Sequence, residues 1–391
     1  MSYQSRFSFC GTPVIPKQKA DTKRPFCKEI SKKDEKTKET KKMLSMTFGI
    51  KETDMNMAFV EAFDSQQKVI KTMDVDNEKM DVDWDDRFDE DIIEKVANYR
   101  KYIVDLGDDH GGRQEFITAY DMIEHLREHL PNYDGRVVVT GQFTRDWYAK
   151  KKTYFSKFRI QNVFAAPEER KNRLLLTMDL FYNKSSLDDS DFDENKKMTL
   201  DCYIEQYINK DEGRKYVPIQ VVFSGAKYDL ENEKHKKLFD YKMKYIKVKS
   251  KNMVHIPWEI VLLRGAEETE FDESMLTDSQ REQVELGIKS VEDFRPKGNV
   301  YGDRIDEFRL FEPKLEGDYA DGVLECDDTA DEFEEKIFVP AQDETMEEAK
   351  KNSKSAKDKA KSKKDEDEGD SNEPPFDTED EKDGVDEEDL F

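Results

Sequence analysis

Two stretches of the chain hold side chains whose types and spacing fit chemistry. The first is the run from His125 to His129, `HLREH`, which fits the His-x-x-Glu-His pattern of inverted zinc peptidases. On a helix, residues four apart share a face, so both imidazoles would point at one ion. A five-residue pattern arises easily by chance, however, and the favoured reading is a surface helix that holds two histidines among Glu and Arg, since helices to supply a third ligand are few. No GxGxxG, GxxxxGK[ST] or GxSxG occurs. The sequence therefore predicts a protein with no enzymatic activity, no bound metal and no cofactor.

The second stretch is the basic, aromatic middle. Residues 136–264 hold 26 Lys and Arg against 18 Asp and Glu, although the whole chain has a net charge of −25. The flanks must therefore carry an excess of 33 negative charges. Within the middle, `TYFSKFRIQNV` alternates with period two, which predicts a strand. If Tyr154, Phe158 and Ile160 face a core, then Phe155, Lys157, Arg159 and Gln161 face water. The same split in `TLDCYIEQYI` turns Tyr203 and Tyr207 outward, and in `KYIKVK` it turns out Tyr245, Lys247 and Lys249. Trp147 and the tip lysines Lys150, Lys151 and Lys152 join two of these strands. Exposed rings beside cations suit unpaired bases, which stack on the rings while the cations follow the phosphates. For any one ring, ordinary cross-strand packing is an equal explanation; the repetition over several strands and the regional charge favour binding. Duplex reading is disfavoured, because no recognition helix or zinc-finger spacing is present.

The elements that must position these residues are mainly strands. `FSFCGTPVIP`, `MLSMTFGIKE` and `MNMAFVEAFD` read as strands, the last two as a hairpin with Leu44, Met46, Phe48 and Ile50 on one face. Residues 30–42 read as a charged loop, and 116–130 as an amphipathic helix ended by Pro131. In 136–264, Val137, Val139 and Phe143, then Leu200, Cys202, Ile204 and Ile208, then Val217, Ile219, Val221 and Phe223 mark successive buried faces. `RLLLTMDLFY` and `MVHIPWEIVLL` add two strands, and `DLENEKHKKLFDYKMKYI` reads as a short helix entering a strand. Thr277 and Gln280 stand at capping-box spacing before a helix. The expected fold is mainly β with a few helices: oligonucleotide-binding (OB)-like barrels, in two β units, with a disordered acidic tail. The expected divisions are a small N-terminal β domain at 1–115, a central barrel at 116–265, a helical or irregular extension at 266–341, and the tail at 342–391.

Four scattered cysteines without a CxxC pair read as free thiols in a reducing compartment. The N-terminal residues lack the apolar core of a signal peptide, and no run approaches the length of a membrane span. A cytoplasmic location is expected, with no membrane partner.

The chain finishes `DGVDEEDLF`, and nine of its last fifteen residues are acidic. A tail that only solubilises has no use for an apolar ending. A terminal Phe combines a ring with a free carboxylate, so a partner with an apolar floor and a basic rim would capture both. The whole acidic segment would also compete with nucleic acid for a basic groove. The ending Asp386, Glu387, Glu388, Asp389, Leu390 and Phe391 resembles that of the single-stranded-DNA-binding proteins of bacteria and their phages, with Leu390 where the bacterial form usually has Pro. `GRVVVTGQFTRDW` is similar to the first barrel strand of that family at Val137, Val139, Gly141, Phe143 and Asp146. The resemblance is to the kind made by a large phage of Gram-positive hosts, which would place the protein in the host cytoplasm. It implies an OB-fold that binds single-stranded DNA without sequence preference during replication, recombination and repair, and a tail that recruits partner proteins.

Two other readings stay open on the sequence. A phage structural or scaffolding protein would bury the basic middle against acidic neighbours and ignore oligonucleotides. An acidic DNA mimic fits the flanks but not the positive middle.

Overall fold

The computed structural model describes residues 5–16, 25–33, 40–266, 268–269, 273–295, 300–301, 304–320 and 322–340. The expected tail, 342–391, with its terminal hook, lies outside the described residues. Alternation sets the first strands: β1 (Arg6–Val14), β2 (Cys27–Lys33), β3 (Thr40–Thr53) and β4 (Asn56–Ser65). On β3, Leu44, Met46, Phe48 and Ile50 are all buried, as their period predicts. Of the expected loop at 30–42, the described residues 30–33 and 40–42 are strand, since Cys27–Lys33 pairs antiparallel with the start of β3. An insertion follows, with β5 (Val69–Met73), β6 (Lys79–Asp83), α1 (Glu90–Lys95), β7 (Tyr102–Asp105) and β8 (Arg113–Phe116). Then come α2 (Ala119–His129), β9 (Val137–Tyr148) and β10 (Thr153–Ala165).

Five of these strands close a ring. β1 pairs with β3, β3 with β4, β4 with β10, β10 with β9, and β9 with β1. Only the β4–β10 contact is parallel, through the bridge Arg159↔Glu61. Counting the ring strands along the chain, the order is 1-2-3-5-4, with a helix between the third and fourth. This is the OB barrel.

The second half repeats it. β11 (Arg173–Tyr182), β12 (Leu187–Asp188), α3 (Phe192–Asn195), β13 (Lys197–Asn209), β14 (Gly213–Ser224), α4 (Glu233–Ile246) and β15 (Val254–Gly265) come first. β16 (Glu268–Thr269), α5 (Asp278–Glu285), β17 (Val300–Tyr301), β18 (Ile305–Pro313), β19 (Leu324–Glu325) and α6 (Ala330–Lys336) follow. The ring is β11–β13–β14–β18–β15, again closed by one parallel bridge, Val222↔Arg309. The expected helix entering a strand is the helix α4 alone, which buries Tyr245 and Ile246. The expected capping box is present at α5: Thr277 accepts from the Gln280 amide, and the Gln280 side chain accepts from Thr277 N–H.

The barrels are joined through the pairing of their first strands. The leading half of β1, Arg6–Cys10, pairs antiparallel with Arg173–Thr177 of β11, while its trailing half, Thr12–Val14, pairs with β3. β11 likewise turns its far end to its own second strand at Phe181↔Tyr203. Strand pairing therefore crosses the expected division at 115/116, because 137–165 completes a ring with 6–65. It also crosses 265/266, because β18 completes the second. Periodicity reports which residues are buried but not which strands meet; sequence-distant strands pair here. Two glycines permit the crowding where strands converge. A Cβ at Gly11 would stand 2.3 Å from the Lys51 carbonyl oxygen, and one at Gly141 would stand 1.9 Å from that of Arg159.

Helix α2 caps the first barrel. Thr118 is its N-cap, accepting from the Asp121 amide at 3.1 Å. Tyr120, Met122, Ile123 and Leu126 are buried in the core. The buried Asp121 carboxylate is held by Arg87 Nε at 3.1 Å and by the Thr118 hydroxyl at 2.5 Å. The two histidines do share a face, with rings 4.4 Å apart, but they pack under Gly111 and beside Phe116. Among the described residues, no three His, Cys, Asp or Glu side chains are grouped to hold a metal ion. Burial first, and the neighbouring His129 second, push the His125 pKa below its ordinary value.

Two outcomes follow. Gly141→Ala forces strand backbone apart and should cost about 1–3 kcal/mol or more, read as a lower urea midpoint; an unchanged midpoint contradicts the close approach. For His125, the unfolded chain takes up a proton near the ordinary pKa of about 6.5, and the folded chain only below that. Stability should be full above that pH and fall as pH drops toward the lower folded value. The melting temperature of His125→Gln should fall less between about pH 7.5 and pH 5.5 than that of the parent chain. An equal fall rules out His125 as the source.

Candidate nucleic-acid interface

Strand β4 is inverted in size. Its small residues Ala58, Val60 and Ala62 fill the barrel, while Phe59 and Phe63 face outward at 41% and 45% exposure. Large exposed rings on a strand are an unmet apolar surface. The barrel closure decides what stands next to them. The Arg159↔Glu61 bridge sets β10 against β4, and the Arg159 guanidinium lies 5.2 Å from the Phe63 ring centre. β7 continues this edge in parallel register with β10. The turn just before β7 thereby brings Tyr99 and Arg100 alongside, with Tyr99 51% exposed and Arg100 5.5 Å from its ring. The Gln161 amide donates to the Tyr99 carbonyl at 2.8 Å and fixes the turn. Phe63, Tyr99, Arg100, Gln142, Arg159 and Gln161 line a cleft of about 240 Å³. Burial raises the pKa of the neighbouring Tyr102 hydroxyl, so it stays neutral there.

The face continues onto the β9–β10 hairpin. The register places Gln142 opposite Arg159, Thr144 opposite Lys157 and Asp146 opposite Phe155. Phe155 is 39% exposed, and Tyr148 meets it edge-on at 5.5 Å. Lys157 donates to Asp146 at 2.9 Å, and Arg159 approaches the same carboxylate at 3.8 Å. At the tip, a short turn over Ala149–Lys151 and a left-handed Lys152 put Lys150, Lys151 and Lys152 in an exposed cluster. Phe155, Lys157, Arg159 and the tip lysines therefore share one hairpin.

The other predicted residues lie apart. Trp147 points to the opposite side of the hairpin, edge-on to Tyr154 at 4.9 Å. That side meets the second barrel: Arg145 N–H donates to the Gln206 side chain at 2.8 Å, and the Arg145 guanidinium donates to the Pro218 carbonyl. Burial lowers the Arg145 pKa, leaving it a structural cation beside Tyr154. Tyr203 is on the outward side of β13, as expected, but Phe333 of α6 covers it at 5.5 Å while stacking on Tyr216 at 4.0 Å. Tyr207 is 58% exposed on the second barrel. Tyr245 is a correction: it is 4% exposed, on a helix rather than a strand, and its carbonyl accepts from the Tyr182 hydroxyl. The strand parity that would have exposed it does not apply to α4. Lys247 caps that helix and pairs with Asp189 at 2.9 Å, and Lys249 is exposed outside any strand.

Sequence reasoning missed Phe59, Phe63, Tyr99, Arg100 and Gln142. For the first two the signal was present: in `AFVEAF` (58–63) the outward parity carries the phenylalanines and the inward parity only Ala and Val. Tyr99 and Arg100 sit in a turn without periodicity, so only the pairing of β7 places them.

No family model matches the chain, and no curated protein matches it. Among solved structures, the chain is similar to a crystal structure of a deletion mutant of the single-stranded DNA binding protein from Thermus aquaticus. The TM-score is 0.25 at 9% identity, with 67% of this chain and 89% of that chain covered. At that score the likeness carries no argument, and the barrel assignment rests on strand pairing. Among the described residues, no helix is long and apolar enough to cross a membrane.

Proposed function

We propose that the chain is a non-catalytic protein that binds single-stranded DNA without sequence preference, along the outward face of β4, β10 and β9. One observation carries this reading: two exposed rings, Phe63 and Tyr99, stand in one cleft, each with an arginine against it. Rings open to water offer stacking surface to bases that have no partner strand, and the guanidinium groups offer phosphate contacts. The location agrees with barrel topology, since OB barrels take oligonucleotides on their second and third strands and on the loop between the fourth and fifth. Here those are β3, β4 and the Lys150–Lys152 tip. In this reading the terminal Asp386–Phe391 segment recruits proteins of replication, recombination and repair, and the protein works in the cytoplasm.

The test is titration of fluorescent oligo(dT) with the full chain. Affinity should fall with salt at a log–log slope of about −0.7 per phosphate contacted. Phe63→Ala with Tyr99→Ala should weaken binding at least tenfold, at about 1–3 kcal/mol per stacked base. Unchanged affinity in the double variant, or equal affinity for duplex of the same length, contradicts the reading.

A further inference from the structure

We infer that Asp146 is a built-in phosphate surrogate that sets how tightly the face holds a polyanion; the inference rests on the function proposed above. Asp146 projects from β9 onto the same outward surface as the cations, directly opposite Phe155. Its carboxylate takes Lys157 at 2.9 Å and Arg159 at 3.8 Å. All three side chains are partly exposed, between 31% and 41%, so they are within reach of a ligand. Carboxylate and phosphodiester oxygens accept the same charge-assisted hydrogen bonds. A bound strand that places a phosphate between Phe155 and Phe63 must take Lys157 and Arg159 from Asp146, leaving that carboxylate to water and salt cations.

Two consequences follow from this exchange. Binding is weaker than the cations alone would give, by the strength of an exposed ion pair. It is also less salt-dependent, because a cation taken up by the released Asp146 offsets part of the counterions released from the strand. Other carboxylates nearby include Glu61, which the barrel bridge sets opposite Arg159, and Asp64, whose charge, like that of Arg159, acts on Tyr102. Only Asp146 contacts both Lys157 and Arg159 among the ion pairs above.

The experiment measures oligo(dT) affinity of the full chain and of Asp146→Asn across a salt series. Asp146→Asn should bind roughly two- to fivefold tighter at low salt, the range expected for one exposed pair. The gain should shrink as salt rises, giving a steeper slope. In a Lys157→Met background the gain should largely vanish, which a general charge effect would not do. Asp146→Asn binding equally or more weakly overturns the inference, since it makes Asp146 a positioning residue or a bystander. If the parent chain binds oligo(dT) and only this gain is missing, the proposed function stands alone. If the parent chain does not bind at all, both fall.

Discussion

One parallel bridge, Glu61 to Arg159, closes the first barrel, and the candidate interface depends on it. Without that contact β4 would be an edge strand carrying two exposed rings with no cation near them. With it, the third strand lies beside the fifth, Arg159 reaches the Phe63 ring, and β10 is positioned to accept β7 and its Tyr99–Arg100 turn. The site is a product of closure rather than of any one segment. The crowding that closure imposes is visible at Gly141, whose missing Cβ makes room for the Arg159 carbonyl.

The second barrel makes the comparison sharper. Its closing bridge is Val222 to Arg309, so an arginine again stands on the fifth strand against the third. Two residues to either side of Val222, however, stand Gln220 and Ser224, where the first barrel has Phe59 and Phe63. On β13 and β14 the outward rings are Tyr203, Tyr207 and Tyr216, toward the hairpin that joins the two strands. Tyr203 and Tyr216 are covered there by Phe333, with the Tyr216 hydroxyl donating to Asp328 at 2.5 Å. Burial and that bond raise the Tyr216 pKa well above its ordinary range. Duplicated topology thus supports one open ring-bearing face and one on which the chain itself covers Tyr203 and Tyr216 and leaves Tyr207 exposed.

Much of this was legible in the sequence, and the missing part has a physical cause. Period-two alternation found the core of β3, β9, β13 and β14, because one face of each strand is buried and the other is not. It also turned Phe155, Lys157 and Arg159 outward correctly. It failed at Tyr245, where a strand parity was applied to residues that continue a helix. It did not separate the barrels, because Val137–Ala165 belongs with strands that lie more than seventy residues upstream. Nor does alternation show what a neighbouring segment lays over an outward ring, as Phe333 does over Tyr203.

The most direct measurement is zero-length ultraviolet cross-linking of oligo(dT) to the full chain, with the joined residues mapped by mass spectrometry. Cross-links are expected at Phe59, Phe63, Tyr99 and Phe155, and few on the second barrel. Cross-links concentrated at Tyr203 or Tyr207, or a saturated complex with none on β4, would contradict it.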